Sequence, residues 1–497
     1  MLDQDAVPAN YAAVTQSVIE RHSIDYIPHS ERKGVAWHQG PFWFGGNFIL
    51  LTLAAGFLGP VKGLTTGWSI LAIVGGVCFG TFFMAFHANQ GPRLGLPQMI
   101  QSRAQLGLQG AVFSLTAAVL VYIGFIIFNI ILVAEVVKTQ LPGSNWLWYP
   151  LAMLAALIIA IIGHDLLHFV QRWIAFIIIV FYAVFTVYAI VTLHSHPSVS
   201  SVSSPLGFNW TGFLTMFSVA AGYQITYAVY VSDYSRYLPV KVSARALIVW
   251  TYVGAAASAI WLMSLGAFIA SRLKDADAVS SVVSIGDNLF PHFGTIMVFA
   301  SIPSMVGIMA VNSYGAMLSG VSAIDGFRKL QPTLTMRVTG LIVIDVICVA
   351  AALAIPNNYL GTFNNFITIV LYFLVPWTAV NLVDFYFIRH GHYAISEIFN
   401  PHGMYKRWPV RGVASYLIGL GCMVPFIVVF GFEGPVAKLL GGVDVSFLVG
   451  LAVAGGLYYL LNRGRDFSVE IARATELNAS LEKAFGGNEV RDEAVVI

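Results

Sequence analysis

The sequence predicts an all-α integral membrane protein with twelve membrane-spanning helices. Three observations carry that prediction. Of 497 residues, 58% are hydrophobic and 10% are charged, with a mean hydropathy of +0.77; a soluble globular protein carries about 25% charged residues. The apolar residues gather in twelve blocks, each near the length of about 20 residues that a spanning helix needs. Lys and Arg are unequally shared between alternate connections, as orientation in a bilayer demands.

The blocks are 41–63, 67–89, 108–137, 146–163, 169–193, 211–231, 243–271, 292–323, 335–355, 361–388, 410–432 and 444–461. The third and eighth exceed a bilayer's thickness, which predicts tilt or extension beyond it. With residues 1–40 taken as cytoplasmic, internal connections hold thirteen Lys and Arg and external ones five. Both termini are therefore expected inside. The polar leader contains no cleavable signal, so the first helix is expected to direct insertion. The tail 462–497 reads as polar, with one short surface helix.

Charge and composition also exclude functions. Lys and Arg number 26 against 24 Asp and Glu, a balance with no nucleic-acid footprint. Cys78, Cys348 and Cys422 lie in separate apolar blocks and read as small buried hydrophobes. His164 and His168 share a helical face but lack a third ligand, so no metal site is expected. No phosphate loop, nucleophile elbow or Cys/His pair appears, so neither an enzyme nor a cofactor is expected.

Twelve helices divide best as five, five and two: about 41–193, about 211–388, and 410–461. Both sets of five then open on an interrupted helix. The first carries Gly45-Gly46-Asn47, Thr52, Gly56 and Gly59-Pro60; the sixth carries Gly222-Tyr223-Gln224 and is expected to break near Gly222. Paired interruptions in two repeats are the best sequence pointer to a transporter site. Amides stand nearby at membrane depth: Asn129 in the third helix, Gln224 in the sixth, Asn312 in the eighth. Asn and Gln suit the donor–acceptor edge of a flat ring, and Tyr223, Phe125, Phe128 and Trp43 offer stacking faces. The competing reading of each amide is interhelical bonding. Thr52, Asn312 and Ser313 are weak candidates for a coupling cation. Asp345 is the one acidic residue squarely inside a predicted span. It is a proton-carrier candidate by default, but the reading favours pairing with a neighbouring helix or a place in a polar crevice away from the pathway. Glu135, Asp165, Asp233, Asp325 and Asp384 near helix ends read as gates, caps or ion pairs.

Several separated stretches then resemble one family. They are IDYIPHSERKG (24–34), FWFGGNF (42–48), AAGFLGP (54–60), QGPRLGLPQMIQSRAQLG (90–107), VSDYSRYLP (231–239) and VPWTAVNLVDFYFIRHGHY (375–393). In this order they resemble the nucleobase–cation symporter-1 family, the purine/cytosine permease group. The resemblance implies a LeuT-like fold with a five-plus-five inverted repeat and two extra helices. It implies import of a nucleobase or related heterocycle, driven by a sodium or proton gradient. It places substrate between the first, third, sixth and eighth helices, against Asn129, Gly222, Tyr223, Gln224 and Asn312, with Ala54 and Gly56 at the first-helix break. Two features differ from the family's hydantoin carriers: Val306-Gly307 replaces a Ser-Thr pair, and the third helix has no tryptophan. A purine or pyrimidine with either ion remains implied. The alternatives weighed were an amino-acid or vitamin-precursor symporter on the same fold, a polytopic membrane enzyme and a channel. The expected partners are a small heterocycle, a coupling cation and the lipid bilayer.

Overall fold

The structure is a computed structural model. It describes residues 25–162, 164–197, 206–273, 277–328, 330, 333–355 and 359–485, with the side chains of 162–176 and 334 outside that description. The readings of 1–24, of 486–497 and of the His164, Asp165 and His168 side chains therefore lie outside the described residues.

Helix fills most of each apolar block. Such a chain must satisfy every peptide group internally when lipid surrounds it. The first span is two helices, α1 (Gln39–Asn47) and α2 (Leu50–Gly56), the latter extended by a turn at Leu58–Val61. Their axes bend by 68° at Phe48-Ile49. Next come α3 (Thr66–Ala88), α4 (Val112–Lys138), α5 (Asn145–Ile162) and α6 (His164–Leu193). The sixth span is α7 (Trp210–Ile225), a 3₁₀ turn at Thr226–Val229, and α8 (Val231–Ser235). Then follow α9 (Ala244–Ala270), α10 (Ala278–Leu289), α11 (Phe293–Asp325), α12 (Leu334–Ala354), α13 (Tyr359–Val383), α14 (Val410–Met423), α15 (Ser446–Asn462) and α16 (Ser468–Ala484).

Most starts fall within two residues of expectation because side chains cap them. Thr65 Oγ1 accepts from the Trp68 amide, Asn209 Oδ1 from Gly212, Ser243 Oγ from Ala246 and Thr333 Oγ1 from Met336. These oxygens occupy first-turn N–H groups that no helical carbonyl can reach. The long third and eighth spans are confirmed, at 27 and 33 residues.

Four expectations need correction. The sixth helix does not break at Gly222, which lies inside α7; it breaks about two turns later, where Tyr230 leaves the helical region at φ −140°, ψ 7°. Gly222 serves packing instead, since a Cβ there would sit 2.6 Å from the Ile367 side chain of α13. Ala54 and Gly56 do not form the first break, which lies at Phe48-Ile49; they are buried in α2 beyond it. The eleventh span is shorter than 410–432, because the chain turns at Pro425 and forms a hairpin of β1 (Val428–Val429) and β2 (Phe432–Glu433). Helix α10 was not foreseen. Asp277 starts it, its carboxylate accepting from the amides of Val279 and Ser280.

Helices α1, α2, α3, α7 and α9 pack as one unit, and glycine makes the contacts close. A Cβ on Gly56 would collide with the Met263 carbonyl of α9, and one on Gly266 with the Leu53 carbonyl of α2. Gly76 and Gly80 of α3 likewise leave no room above the Phe217 and Ala221 carbonyls of α7. Small residues that let backbones touch are the means by which helices associate in lipid. Helix α4 packs against α11, α12 and α13. The two broken spans thus stand where the two groups meet.

Candidate functional site

Each break frees backbone groups, and local side chains take them up. At the first, the Asn47 carbonyl accepts from Thr52 Oγ1 at 2.7 Å and from the Ile49 amide at 3.1 Å, replacing the helical ladder. At the sixth, Thr226 Oγ1 donates to the Tyr223 carbonyl at 2.6 Å. Asn47 then joins the breaks. Its Nδ2 donates to the Ala255 carbonyl of α9 at 2.9 Å, and its Oδ1 accepts from Tyr227 OH at 3.0 Å. Thr52 Oγ1 lies 2.8 Å from Tyr223 OH. Gln224 Nε2 reaches the same Ala255 carbonyl at 3.4 Å, while its Oε1 is buried with no hydrogen-bond partner.

An aromatic group surrounds this network. The Trp43 ring lies 5.8 Å from Tyr227, 6.1 Å from Tyr230 and 5.6 Å from Tyr234. Tyr122 of α4 stacks on Tyr230 at 5.6 Å and 28°. Phe125, one turn along α4, meets Tyr223 edge-on at 5.3 Å. On the far side, Gly315 of α11 exposes its backbone to the Tyr122 ring, which a Cβ there would strike.

The predicted residues divide accordingly. The structure brings Thr52, Tyr223 and Gln224 together, with Asn47, which sequence reading placed only in the Gly45-Gly46-Asn47 interruption. Asn129 is buried one turn beyond Phe125; its Nδ2 is taken by its own helix at Phe125 O, 2.7 Å, and its Oδ1 has no partner. Asn312 is 5% exposed on α11. Ser313 does not face the first helix: its hydroxyl donates to Asp345 Oδ1 of α12 at 2.8 Å. The reading of Asp345 as paired with a neighbouring helix holds, but that partner adjoins Asn312. Sequence reading also missed Tyr122, Tyr227 and Tyr230. The signal for Tyr227 and Tyr230 was available as tyrosines spaced along the Tyr223–Tyr237 run; Tyr122, on α4, had none.

A second polar network lies nearer the face that carries residues 25–38. His87, at the end of α3, stacks flat on Trp377 of α13, 4.7 Å apart at 2°. Gln98 Nε2 bonds Gln90 Oε1 at 2.7 Å, and Gln90 Nε2 bonds Asn381 Oδ1 at 2.6 Å. Asn381 leads to Gln105, whose Nε2 donates to Asp384 Oδ2 at 2.9 Å. Asp384 also accepts from Tyr393, Tyr458 and Arg389, and Arg389 Nε holds Glu470 of α16 at 2.7 Å. Burial works against the Arg389 charge, but Asp384 and Glu470 more than offset it and raise its pKa above the ordinary value. Asp325 pairs with Arg103 at 3.3 Å, and Asp233 accepts from the Gln98 amide at 2.7 Å. These acidic residues make ion pairs and caps, two of the roles expected of groups near helix ends. Glu135 instead lines a cavity of about 320 Å³ with Lys138, Asn145, Tyr149 and Tyr359. No metal-binding group of three His, Cys, Asp or Glu occurs among the described residues.

Comparison with known proteins agrees with this fold. The fold superposes on Mhp1 in an inward-facing conformation, with TM-score 0.71, 15% identity, and 93% of this chain and 98% of that chain covered. It also superposes on Mhp1, a nucleobase-cation-symport-1 family transporter, in a closed conformation with bromovinylhydantoin bound, with TM-score 0.72, 16% identity, and 94% and 100% covered. At such identities these likenesses establish the LeuT-like fold. In sequence, the chain is 37% identical over 455 residues to the putative purine-cytosine permease YxlA of Bacillus subtilis (strain 168), covering 90% of this chain and 96% of that one. The purine-cytosine permease FCY2 of Saccharomyces cerevisiae is 24% identical over 452 residues, covering 84% of this chain and 81% of that one. The profile of one family, described as permeases for cytosine/purines, uracil, thiamine and allantoin, matches residues 26–450, from the segment before the first break through the start of the twelfth span. With both broken helices inside that match, the chain belongs to this permease family.

Proposed function

We propose that this permease imports a nucleobase of the purine or cytosine type, coupled to a cation gradient, by alternating access. The observation that carries the reading is the gathering of Trp43, Tyr122, Tyr227 and Tyr230 around the two breaks, beside the buried and unpartnered Gln224 Oε1. A planar base needs ring faces to stack on and amides to bond its edge. Tyr223, Gln224, Asn129 and Asn312 supply the edge-reading and covering groups; Thr52 and Asn47 hold the broken backbone in place. Both termini lie on the cytoplasmic side of the cell membrane, in keeping with the thirteen-to-five division of Lys and Arg. Base and cation each favour the occluded state by their difference in affinity for it.

A thermal-shift series against cytosine, uracil, adenine, hypoxanthine, allantoin and hydantoins, with and without sodium, tests this. A bound base must raise apparent stability by an amount set by concentration over Kd. Uptake of the base that shifts is expected to vanish in Gln224→Ala with expression intact; normal uptake there overturns the site. A shift with amino acids and with no ring overturns the substrate class.

A further inference from the structure

We propose that the coupling ion is a proton and that Asp345 is the carboxyl that carries it. The inference rests on the nucleobase reading for its cargo but not for its site.

Asp345 is 4% exposed, in the middle of α12. That helix turns most of its surface to lipid, with Ile342, Val343, Val346 and Ile347 exposed. Leu341, Asp345, Cys348 and Ala352 form its one buried stripe. A carboxyl there could have pointed outward only into hydrocarbon; it points at α11. It accepts one hydrogen bond, from Ser313, and its Oδ2 is buried without a partner. A buried carboxylate normally keeps its charge only with a cation or several donors. One hydroxyl is too little for a permanent anion, yet enough to hold a group that gains and loses a proton.

Among the described residues, the neighbours supply no fixed counter-charge. Helices α4, α5 and α11 pack against α12. On α4, Tyr122 stacks on Tyr230, while Glu135 and Lys138 line the cavity with Tyr149 of α5. On α11, Asp325 pairs with Arg103, and the Tyr314 ring lies under Arg337 of α12 itself, 5.5 Å away. Cys348 is one turn along the same helix.

The step is a proton transfer that balances by itself. An O–H bond forms at Asp345 when the site opens to the proton-rich side. It breaks, and the proton leaves, when the site opens to the other. Protonation turns an acceptor into a donor, so the Ser313 hydroxyl must rotate. Ser313 follows Asn312 directly, which links the charge of Asp345 to the edge-reading amide without contact between proton and base. Two states that differ in this bond give the differential affinity that coupling requires.

Two measurements on the full-length protein decide it. The first is infrared difference spectroscopy in proteoliposomes between acid and neutral pH, with no base present. Wild type is expected to show a protonated-carboxyl band that Asp345→Asn lacks; identical spectra overturn the proposal. The second is accumulation of labelled cytosine, or of whichever base binds, under an imposed pH gradient. One proton per base supports about tenfold accumulation per pH unit. Asp345→Asn is expected to lose accumulation entirely, with exchange of internal for external base reduced far less, and Asp345→Glu to recover part of it. Accumulation driven by sodium and indifferent to pH overturns the proposal. If no base is transported, the nucleobase reading fails while the spectra still decide for or against Asp345. Should Asp345→Asn not fold, Ser313→Ala supplies the second variant, and an unchanged band position there counts against the site.

Discussion

Two buried carboxylates mark the difference between the parts of this protein that brace and the parts that move. Asp384 accepts from Gln105, Tyr393, Tyr458 and Arg389, using both oxygens. Asp345 accepts from Ser313 alone. Their burial is nearly equal, 0% and 4% exposed. What differs is saturation. A carboxylate with four donors, one of them a guanidinium, has a fixed geometry, and it ties α13, α15 and α16 together. A carboxyl with one donor can change state. Among amides the contrast is only partial. Gln90 and Asn381 are bonded on the bracing side, but Gln98 there leaves its Oε1 unmet, as Gln224 and Asn129 each leave an oxygen unmet near the breaks.

The sharpest way to break the comparison is to remove each charge. Asp384→Asn leaves Arg389 buried with a weakened partner and is expected to destabilise by about 3–5 kcal/mol, read as a fall in the thermal midpoint in detergent. Asp345→Asn should change that midpoint little. Equal losses would erase the distinction. Next in size is Asn47→Ala, which strips the Ala255 and Tyr227 bonds together and strands buried groups. We expect a loss of about 1–3 kcal/mol and a fall in base binding by titration calorimetry. Smaller again is Tyr223→Phe, which keeps the ring but loses the Thr52 contact. About 1 kcal/mol, or roughly fivefold in Kd, should result. A loss of more than a hundredfold would mean that this hydroxyl touches the base itself.

The smallest effect lies outside the membrane. The exposed Asp466 carboxyl accepts from the Ser468 amide at 2.8 Å, and this bond, with one to the Ser468 side chain, holds its pKa below the ordinary aspartate value. A lowered folded pKa contributes stability that is fully present above the unfolded value, about 3.9, and is lost as pH falls through the folded one. Amide exchange in the first turn of α16 should accelerate in that acid window and nowhere else. Exchange that also changes near neutrality would assign the effect to another group.

Much of the fold was legible because a bilayer enforces it. Apolar length located a helix in each of the twelve expected blocks, with most starts within two residues, and the polar run after Asn462 gave α16. Interruption of the first and sixth helices was legible from Gly45-Gly46-Asn47 and Gly222, but its position was not. Glycine marks both weak helix and close packing, and only the neighbours decide. Gly222 and Gly56 proved to be contacts with Ile367 and Met263. Of the site, Tyr223 and Thr52 were readable as polar groups at depth. The pairing of Ser313 with Asp345 was not, because residues 32 apart in sequence show no spacing signal. The hairpin after α14 was hidden by its own hydrophobicity; Pro425 and Gly431 were its visible marks.

The close contact of Gly56 with the Met263 carbonyl has an evolutionary consequence. A substitution there would be felt by every helix of its group, so that packed unit is constrained as a whole. On the facing helices the close contacts run to side chains instead, Gly124 of α4 to the Phe366 ring and Gly315 of α11 to the Tyr122 ring, and a ring can shift where a backbone cannot. Descendants of one ancestor could therefore vary most freely on those two helices, and inherit the tightly packed unit unaltered.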